Sequence, residues 1–366
     1  MRHAVWVVGA TFLLGALHVE DAVSQPPTSA LAVEIAKQRQ ETVRSVAIEF
    51  RVNEDVAEGA YSSSRSPSEQ SSQGLKVPAK TTKLESTNRL VISGNKTRYE
   101  CNHPAWNVDT GRLHSGGFIN TMDGEYDKLY FPVGLQRPEQ PEGFIGRTAR
   151  SNDIKSYLLT PLTLWYRGFE PSITPQVLTN YHPSGSVVSI RGRACQEYSP
   201  TGNRADATLV WFDQTSGSSP RRIRVDKQGK PRQQFDIDYQ LDASGVWVPV
   251  SWVRNEYAPD GRVLITTKVD VVSTRLNEKH PDTTFDIRFP VGTRLYNARE
   301  RKDYIVQNDE TLREFDLATG EILSDTAYQP GTSWIVRNQW WLVACVCVLL
   351  VVFGLVWTMW GRRKRK

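Results

Sequence analysis

The sequence predicts a mainly β protein with a few helices (α+β): a large curved antiparallel sheet, followed by one C-terminal transmembrane helix. Three observations predict it. Between Leu84 and Val272 apolar residues recur mostly at period two, with Gly, Asn and Asp at the breaks. Leu342 to Met359 is eighteen residues without a charge, flanked by Trp340-Trp341 and Trp360 and followed by Arg362-Arg363-Lys364-Arg365-Lys366. At about 1.5 Å per residue it covers roughly 27 Å, close to the hydrocarbon thickness, with amphipathic rings at the interfaces and basic residues on the cytoplasmic side. The other end carries an export pattern: Arg2 and His3, an uncharged run from Ala4 to Leu17, and Ala22-Val23-Ser24 for a signal peptidase.

These ends order the rest. Residues 1–24 are expected to be a signal peptide, 25–323 an exported domain, 324–339 a stalk, 340–360 the transmembrane helix and 361–366 a basic cytoplasmic tail. The expected location is the inner membrane, single-pass, with the large domain extracytoplasmic or periplasmic. The chain has 45 basic and 40 acidic residues, but the targeting ends hold six and two of them, leaving 39 and 38 in the exported part. So nearly neutral a domain gives no argument for nucleic-acid binding.

The first element is a helix over Ser29–Thr42, with Leu31, Ile35 and Gln38 or Arg39 at helical spacing and a serine at its start. Val46 to Val52 begins a strand. Residues 53–80 turn polar around Tyr61 to Ser68 and read as a flexible insertion. Arg89-Leu90-Val91-Ile92 and Thr97-Arg98-Tyr99-Glu100 flank Ser93-Gly94-Asn95-Lys96, a hairpin signal, and another turn at Asp123-Gly124 precedes Leu129-Tyr130-Phe131. One or two short helices from Asn152 to Trp165 interrupt the meander. Strands resume at Val187 to Ile190, Ala207 to Phe212, Arg221 to Asp226, Phe235 to Leu241, Val246 to Val253 and Val263 to Val272, joined by short turns. Phe285, Ile287 and Phe289 read as a last core strand, and Thr311 to Leu323 as a small hairpin.

Catalytic signals are weak. No two of the six histidines stand at i, i+4 spacing for a metal, and the chain has no Gly-rich phosphate loop and no Gly-x-Ser-x-Gly elbow. Ser184-Gly185-Ser186 beside His182 reads as a turn, and Asp236 and Asp238 as the solvated face of an alternating strand. No enzyme activity, metal or cofactor is therefore expected. Cys101 and Cys195 are the exported cysteines, a disulfide candidate in an oxidising compartment or two buried thiols. What stands out is aromatic material on the meander. Trp211, Phe235, Tyr239, Trp247, Trp252 and Phe285 are the candidate lining of an apolar cavity, with ordinary core packing as the alternative.

The order of these elements, the stretch Gly245-Val246-Trp247-Val248-Pro249 with Trp252, Tyr257 and Gly261, and the late Phe285-Asp286-Ile287-Arg288-Phe289-Pro290-Val291-Gly292-Thr293 together resemble the bacterial lipoprotein carrier superfamily. That superfamily comprises LolA, LolB, the N-terminal domain of the sigma-factor regulator RseB and outer membrane lipoprotein-sorting-like proteins. The resemblance spans roughly residues 30 to 300 and implies a half-barrel around a hydrophobic cavity lidded by helices. It further implies a lipid or lipidated protein as partner, bound without chemistry, in lipoprotein sorting or envelope maintenance. Membrane lipids would meet the span and the basic tail. The alternative is an RseB-like sensor or regulatory protein acting through a membrane protein partner.

Overall fold

The computed structural model describes residues 29–60, 76–102, 104–107, 111–114, 116–134, 139–147, 157–167, 178, 181–202, 206–213, 219–309, 311–316, 319 and 321–323. The expected signal peptide, stalk, span and tail lie outside them. Among the described residues no helix is long and apolar enough to cross a membrane.

Helix α1 (Ser29–Thr42) leads into β1 (Ser45–Val56), β2 (Thr82–Ser93) and β3 (Lys96–Cys101). The small ribbon β4 (Ala105–Asn107) and β5 (Arg112–His114) stands apart from the main sheet, which continues in β6 (Phe118–Met122), β7 (Tyr126–Phe131) and β8 (Glu142–Arg147). A 3-10 turn at Tyr157–Leu159 opens helix α2 (Thr160–Arg167). Then come β9 (Tyr181–Ile190), β10 (Arg193–Pro200), β11 (Thr208–Asp213), β12 (Ser219–Lys227), β13 (Lys230–Leu241), β14 (Trp247–Tyr257) and β15 (Val263–Leu276). A 3-10 turn at Asp282–Phe285 precedes β16 (Arg294–Asn297), β17 (Lys302–Val306) and β18 (Leu312–Glu314).

Among the described residues sixteen strands form one open sheet, in the order β18-β17-β16-β8-β7-β6-β3-β2-β1-β15-β14-β13-β12-β11-β10-β9. Sequential antiparallel neighbours dominate, because short turns permit only that pairing. The turn between β12 and β13 shows the chemistry: Gln228 and Gly229 both take positive φ, 54° and 73°, matching the twist of a two-residue hairpin. Two junctions depart from the meander. β1 pairs with β15 from Val46 opposite Leu276 to Val56 opposite Ile265, and β16 runs parallel to β8 with Leu295 opposite Gly143. Gly143 has no room for a side chain, since a Cβ would stand 2.7 Å from Phe289 and 2.8 Å from Leu295.

The helix over 29–42, the β2–β3 hairpin and the strands from β11 to β15 form where the sequence places them, and four expectations change. The insertion is narrower than 53–80: β1 continues to Val56 opposite Thr82, and the Gly59 amide donates to the Pro78 carbonyl at 2.8 Å, pinning its base. Ser184, Gly185 and Ser186 are not a turn but lie in β9, where Ser184 Oγ donates to Glu197 at 3.0 Å. Phe285, Ile287 and Phe289 form no strand. Prolines at 281 and 290 bracket the segment and remove ladder donors, and side chains strap it to the sheet instead. Arg98 Nη1 donates to the carbonyls of Thr284 and Asp286 at 3.1 and 3.2 Å, Lys96 meets Asp282 at 2.7 Å, and Lys128 pairs with Asp286.

Fourth, Cys101 and Cys195 are each a buried thiol, not a bridged pair. They lie on β3 and β10, eight ladders apart in strand order and in separate apolar clusters. A disulfide needs α-carbons within about 7 Å. Burial pushes the Cys195 thiol up to about 11, with the Asp213 carboxylate adding to the rise. The native protein is expected to resist alkylation at Cys195 at pH 8 and to react once denatured. Rapid native labelling, read by peptide mass, would contradict this packing.

Candidate ligand-binding face

Register sets the site. Across the sheet, Tyr198, Val210, Ile223, Phe235, Arg254, Thr267, Glu54 and Leu84 stand opposite one another in a single row through eight strands. The next row runs through Ile237, Trp252, Val269, Val52 and Ser86, and the one beyond it through Val271, Phe50, Asn88 and Cys101. Side chains two apart share a face, so one inner face carries most of the large apolar groups. Leu84 apart, they form a single cluster with Val43 just after α1, Leu158 and Leu159 of the 3-10 turn, and Leu162, Leu164, Trp165 and Tyr166 of α2.

Helix α2 is buried from Thr160 to Tyr166 and lies against β12 and β14. Its hold on the sheet combines packing with a few specific bonds. Trp165 Nε1 donates to the Trp247 carbonyl at 2.7 Å, and the Tyr166 hydroxyl donates to the Arg44 carbonyl at 2.8 Å. From α1, Arg39 lies over the Trp165 ring at 6.0 Å and donates to Ser219 Oγ at 3.2 Å. Burial lowers the Arg39 guanidinium to about 10, with the nearby Tyr239 opposing the shift. At neutral pH Arg39 stays charged.

The six candidate residues divide between the two faces. Phe235, Tyr239 and Trp252 belong to the inner cluster, and the half-buried Trp247 packs against it. Trp252 tilts against Phe50 with ring centres 5.7 Å apart. Trp211 points the other way, into a cluster with Ile190, Cys195, Ala207 and Leu209, under the Arg224 guanidinium at 5.4 Å. Phe285 packs on Ala47 and Val91, on the face opposite Ile48 and Leu90. Tyr239 does more than line the face. Its hydroxyl donates to the Pro220 carbonyl at 3.0 Å and its ring lies 5.3 Å from Arg221. Burial raises its pKa above the ordinary tyrosine value, against the pull of Arg39 and Arg221.

Arg221 is the centre of a buried knot. Its Nε donates to the fully buried Asp213 at 3.1 Å, and its Nη1 reaches the Ile237 carbonyl at 3.4 Å and Asp238 at 3.6 Å. Asp236 and Asp238, which the alternation places on a solvated face, are ion-paired: Arg222 holds Asp236 at 2.6 Å and Arg191 holds Asp238. A second polar group interrupts the inner row. Arg254 pairs with Glu256 and donates to Thr267 Oγ1 at 3.4 Å, and Thr267 donates to Glu54 at 2.9 Å. Beyond β3 the apolar face continues as a ladder of rings, Tyr99, Phe118, Phe131, Phe144 and Tyr296, with centres 5.4 to 6.3 Å apart. All but Tyr99 are half-exposed.

The sequence reading missed Trp165, Phe50 and Arg254. Arg254 left a legible trace, because Trp252-Val253-Arg254-Asn255-Glu256 keeps strand alternation while placing charges on the apolar phase.

No family model matches the chain, and no curated protein matches it. Among solved structures it is similar to a DUF1329 family protein from Desulfovibrio piger, at 12% identity and a TM-score of 0.41, covering 70% of this chain and 95% of that one. An outer membrane lipoprotein-sorting protein domain from Vibrio parahaemolyticus aligns at 12% identity and a TM-score of 0.40, over 70% and 97% of the two chains. A LolA superfamily protein from Nitrosomonas europaea aligns at 14% and 0.40, over 72% and 99%. The last of these is named as a LolA superfamily protein, and no activity follows from any of the three.

Proposed function

We propose that this chain is a membrane-anchored extracytoplasmic binding protein that holds the apolar part of a lipid or lipidated protein between the inner face of the open sheet and helices α1 and α2. The protein makes and breaks no bonds in the ligand. The observation that supports this reading is the way the inner face is closed. A broad apolar surface is covered by Val43 after α1, by the 3-10 turn at Tyr157–Leu159 and by the eight-residue α2. Short elements held by few contacts open at lower free energy than the sheet they cover. Phe235 and Trp252 are each 1 % exposed, so an acyl chain reaches them only as those helices move. The C-terminal span keeps the domain beside its membrane source, and the basic tail lies in the cytoplasm.

The test uses the full-length chain in its own membrane and a photoactivatable acyl-chain probe. Cross-links are expected on peptides from α2, β13 and β14 as well as on the 340–360 span. Labelling confined to the span, at probe levels that saturate it, would overturn the reading.

A further inference from the structure

The central strands end in a polar cavity that is not part of the inner face. Ser45 opens β1 opposite Ser93, which closes β2. Both share the phase of Ala47 and Val91, which pack on Phe285 on the face opposite the apolar cluster. The cavity here measures about 750 Å3 and is lined by Glu41, Thr42 and Arg44 at the exit of α1, by the two serines, and by residues 277–280 at the exit of β15. Its walls are fixed by Asn277, which takes the left-handed conformation at φ 59°. Asn277 Oδ1 accepts from the Arg44 amide at 2.8 Å, its Nδ2 donates to the Thr42 carbonyl at 3.1 Å, and its amide donates to the Ser45 carbonyl at 2.9 Å. Ser45 Oγ donates to the Glu278 carbonyl at 2.7 Å. Helix exit, strand and loop are thereby one frame.

The frame leaves most of the chemistry uncommitted. Glu278 is answered by Arg275 at 3.4 Å, but the side chains of Glu41, Arg44, Ser93 and Lys279 have no hydrogen bond or ion pair among the described residues. His280 stands edge-on to Phe285 at 6.3 Å, and its Nε2 is buried without a partner. Four donors therefore face one free carboxylate, with two positive charges against one negative. That balance favours an anion rich in acceptor oxygens. A phosphate ester presents three terminal oxygens and suits both a guanidinium and an ammonium, whereas a carboxylate presents two. The partial negative end of α1 opposes an anion, but it is blunted: Asn277 Nδ2 takes the Thr42 carbonyl and the Val43 amide takes the Arg39 carbonyl at 2.8 Å. The cavity has room for roughly 25 waters at ~30 Å3 each, far more than one phosphate fills. The remaining lining, Glu41, Thr42 and Asn277, is polar, so the rest of the ligand is hydroxylated or carries an ammonium and is no hydrocarbon chain.

We propose that this cavity binds the phosphate ester of a small polar alcohol. Arg44 and Lys279 answer the phosphate charge, His280 Nε2 and Ser93 Oγ donate to its oxygens, and Glu41 receives the hydroxyl or ammonium of the alcohol. The site stands apart from the apolar cluster under α2 and does not depend on what that cluster holds.

Calorimetric titration of the full-length protein in phosphatidylcholine nanodiscs tests this with glycerol phosphate, inorganic phosphate and glycerol. Glycerol phosphate is expected to bind saturably with a Kd of about 1 mM or tighter, inorganic phosphate more weakly, and glycerol not at all. Arg44→Gln and Lys279→Gln should each weaken glycerol phosphate about fivefold. Both side chains are exposed, so denaturant melts should be unchanged. His280→Phe keeps the ring against Phe285, removes Nε2 and should also cost about fivefold. Arg51→Gln, which removes the same charge from an exposed position further along β1, should leave binding as it was. Adding phosphatidic acid to the nanodiscs separates two sources of the ester: displacement of glycerol phosphate assigns the site to a lipid headgroup, and no displacement assigns it to a soluble ester. Failure of glycerol phosphate to saturate, or equal weakening in Arg51→Gln and Arg44→Gln, would overturn the site. Inorganic phosphate binding as tightly as glycerol phosphate would overturn recognition of the alcohol.

Discussion

Asp213→Ala is expected to destabilise the protein by about 3–5 kcal/mol, because it leaves the Arg221 guanidinium buried without its carboxylate. Asp213 is fully buried, and the Arg221 side chain is 7 % exposed. Asp238, at 3.6 Å and 37 % exposed, offers only partial compensation. The pair as a whole contributes far less than its rupture costs, since both ions were taken out of water to form it. The double variant Asp213→Leu with Arg221→Met should therefore recover most of the loss. Denaturant melts of the two single variants and the double decide the matter, with a large positive coupling expected. A single variant that melts within about 1 kcal/mol of the parent would show that water reaches this knot.

The second large effect concerns the helix that covers the sheet. Trp165 is 1 % exposed, donates to the Trp247 carbonyl and supports Arg39. Trp165→Ala removes the largest side chain of α2 from the core, a change of about 3–5 kcal/mol for a buried tryptophan. Much of that cost should appear as local release of α2 rather than as global unfolding, because the ladders of the sheet do not depend on it. The expected signature is increased binding of an apolar fluorescent dye and faster amide exchange in 158–167, with β13 and β14 still protected. Trp165→Phe separates the hydrogen bond from the packing and should cost about 1 kcal/mol. Equal loss of protection in α2 and β14 would mean that helix and sheet open as one unit.

The sheet was legible in the sequence because period-two alternation and turn residues are local signals, and from β11 to β15 each strand meets the next across a short turn. Two classes of feature were not. The first is anything set by distant pairing: nothing near Val46 announces Leu276, and the parallel junction of β16 with β8 is made possible by Gly143, a residue with no pattern of its own. The second is which side of an alternating strand faces the helices. Trp211 and Phe212 are adjacent aromatic residues on one strand, and local sequence does not say which of them looks inward, so Trp211 entered the candidate set and Phe212 did not. Phe285 misled for another reason. Its alternation with Ile287 and Phe289 imitates a strand, but Pro281 and Pro290 deny the segment a ladder, and Arg98 and Lys128 fix it from outside.

The pairing of β1 with β15 also dictates an order of assembly as the chain is made. β2 follows β1 closely in the chain, so that ladder forms early from neighbouring sequence. Its other edge, holding Phe50 and Val52, waits until residues 263–276 are available to pair. Until then the growing chain displays a long open strand edge, the kind of surface that invites wrong partners. The meander from β9 to β14 can form on its own in that interval, and β15 then joins two half-sheets into one through its ladder with β1. Late closure of so non-local a contact makes folding slow for its size.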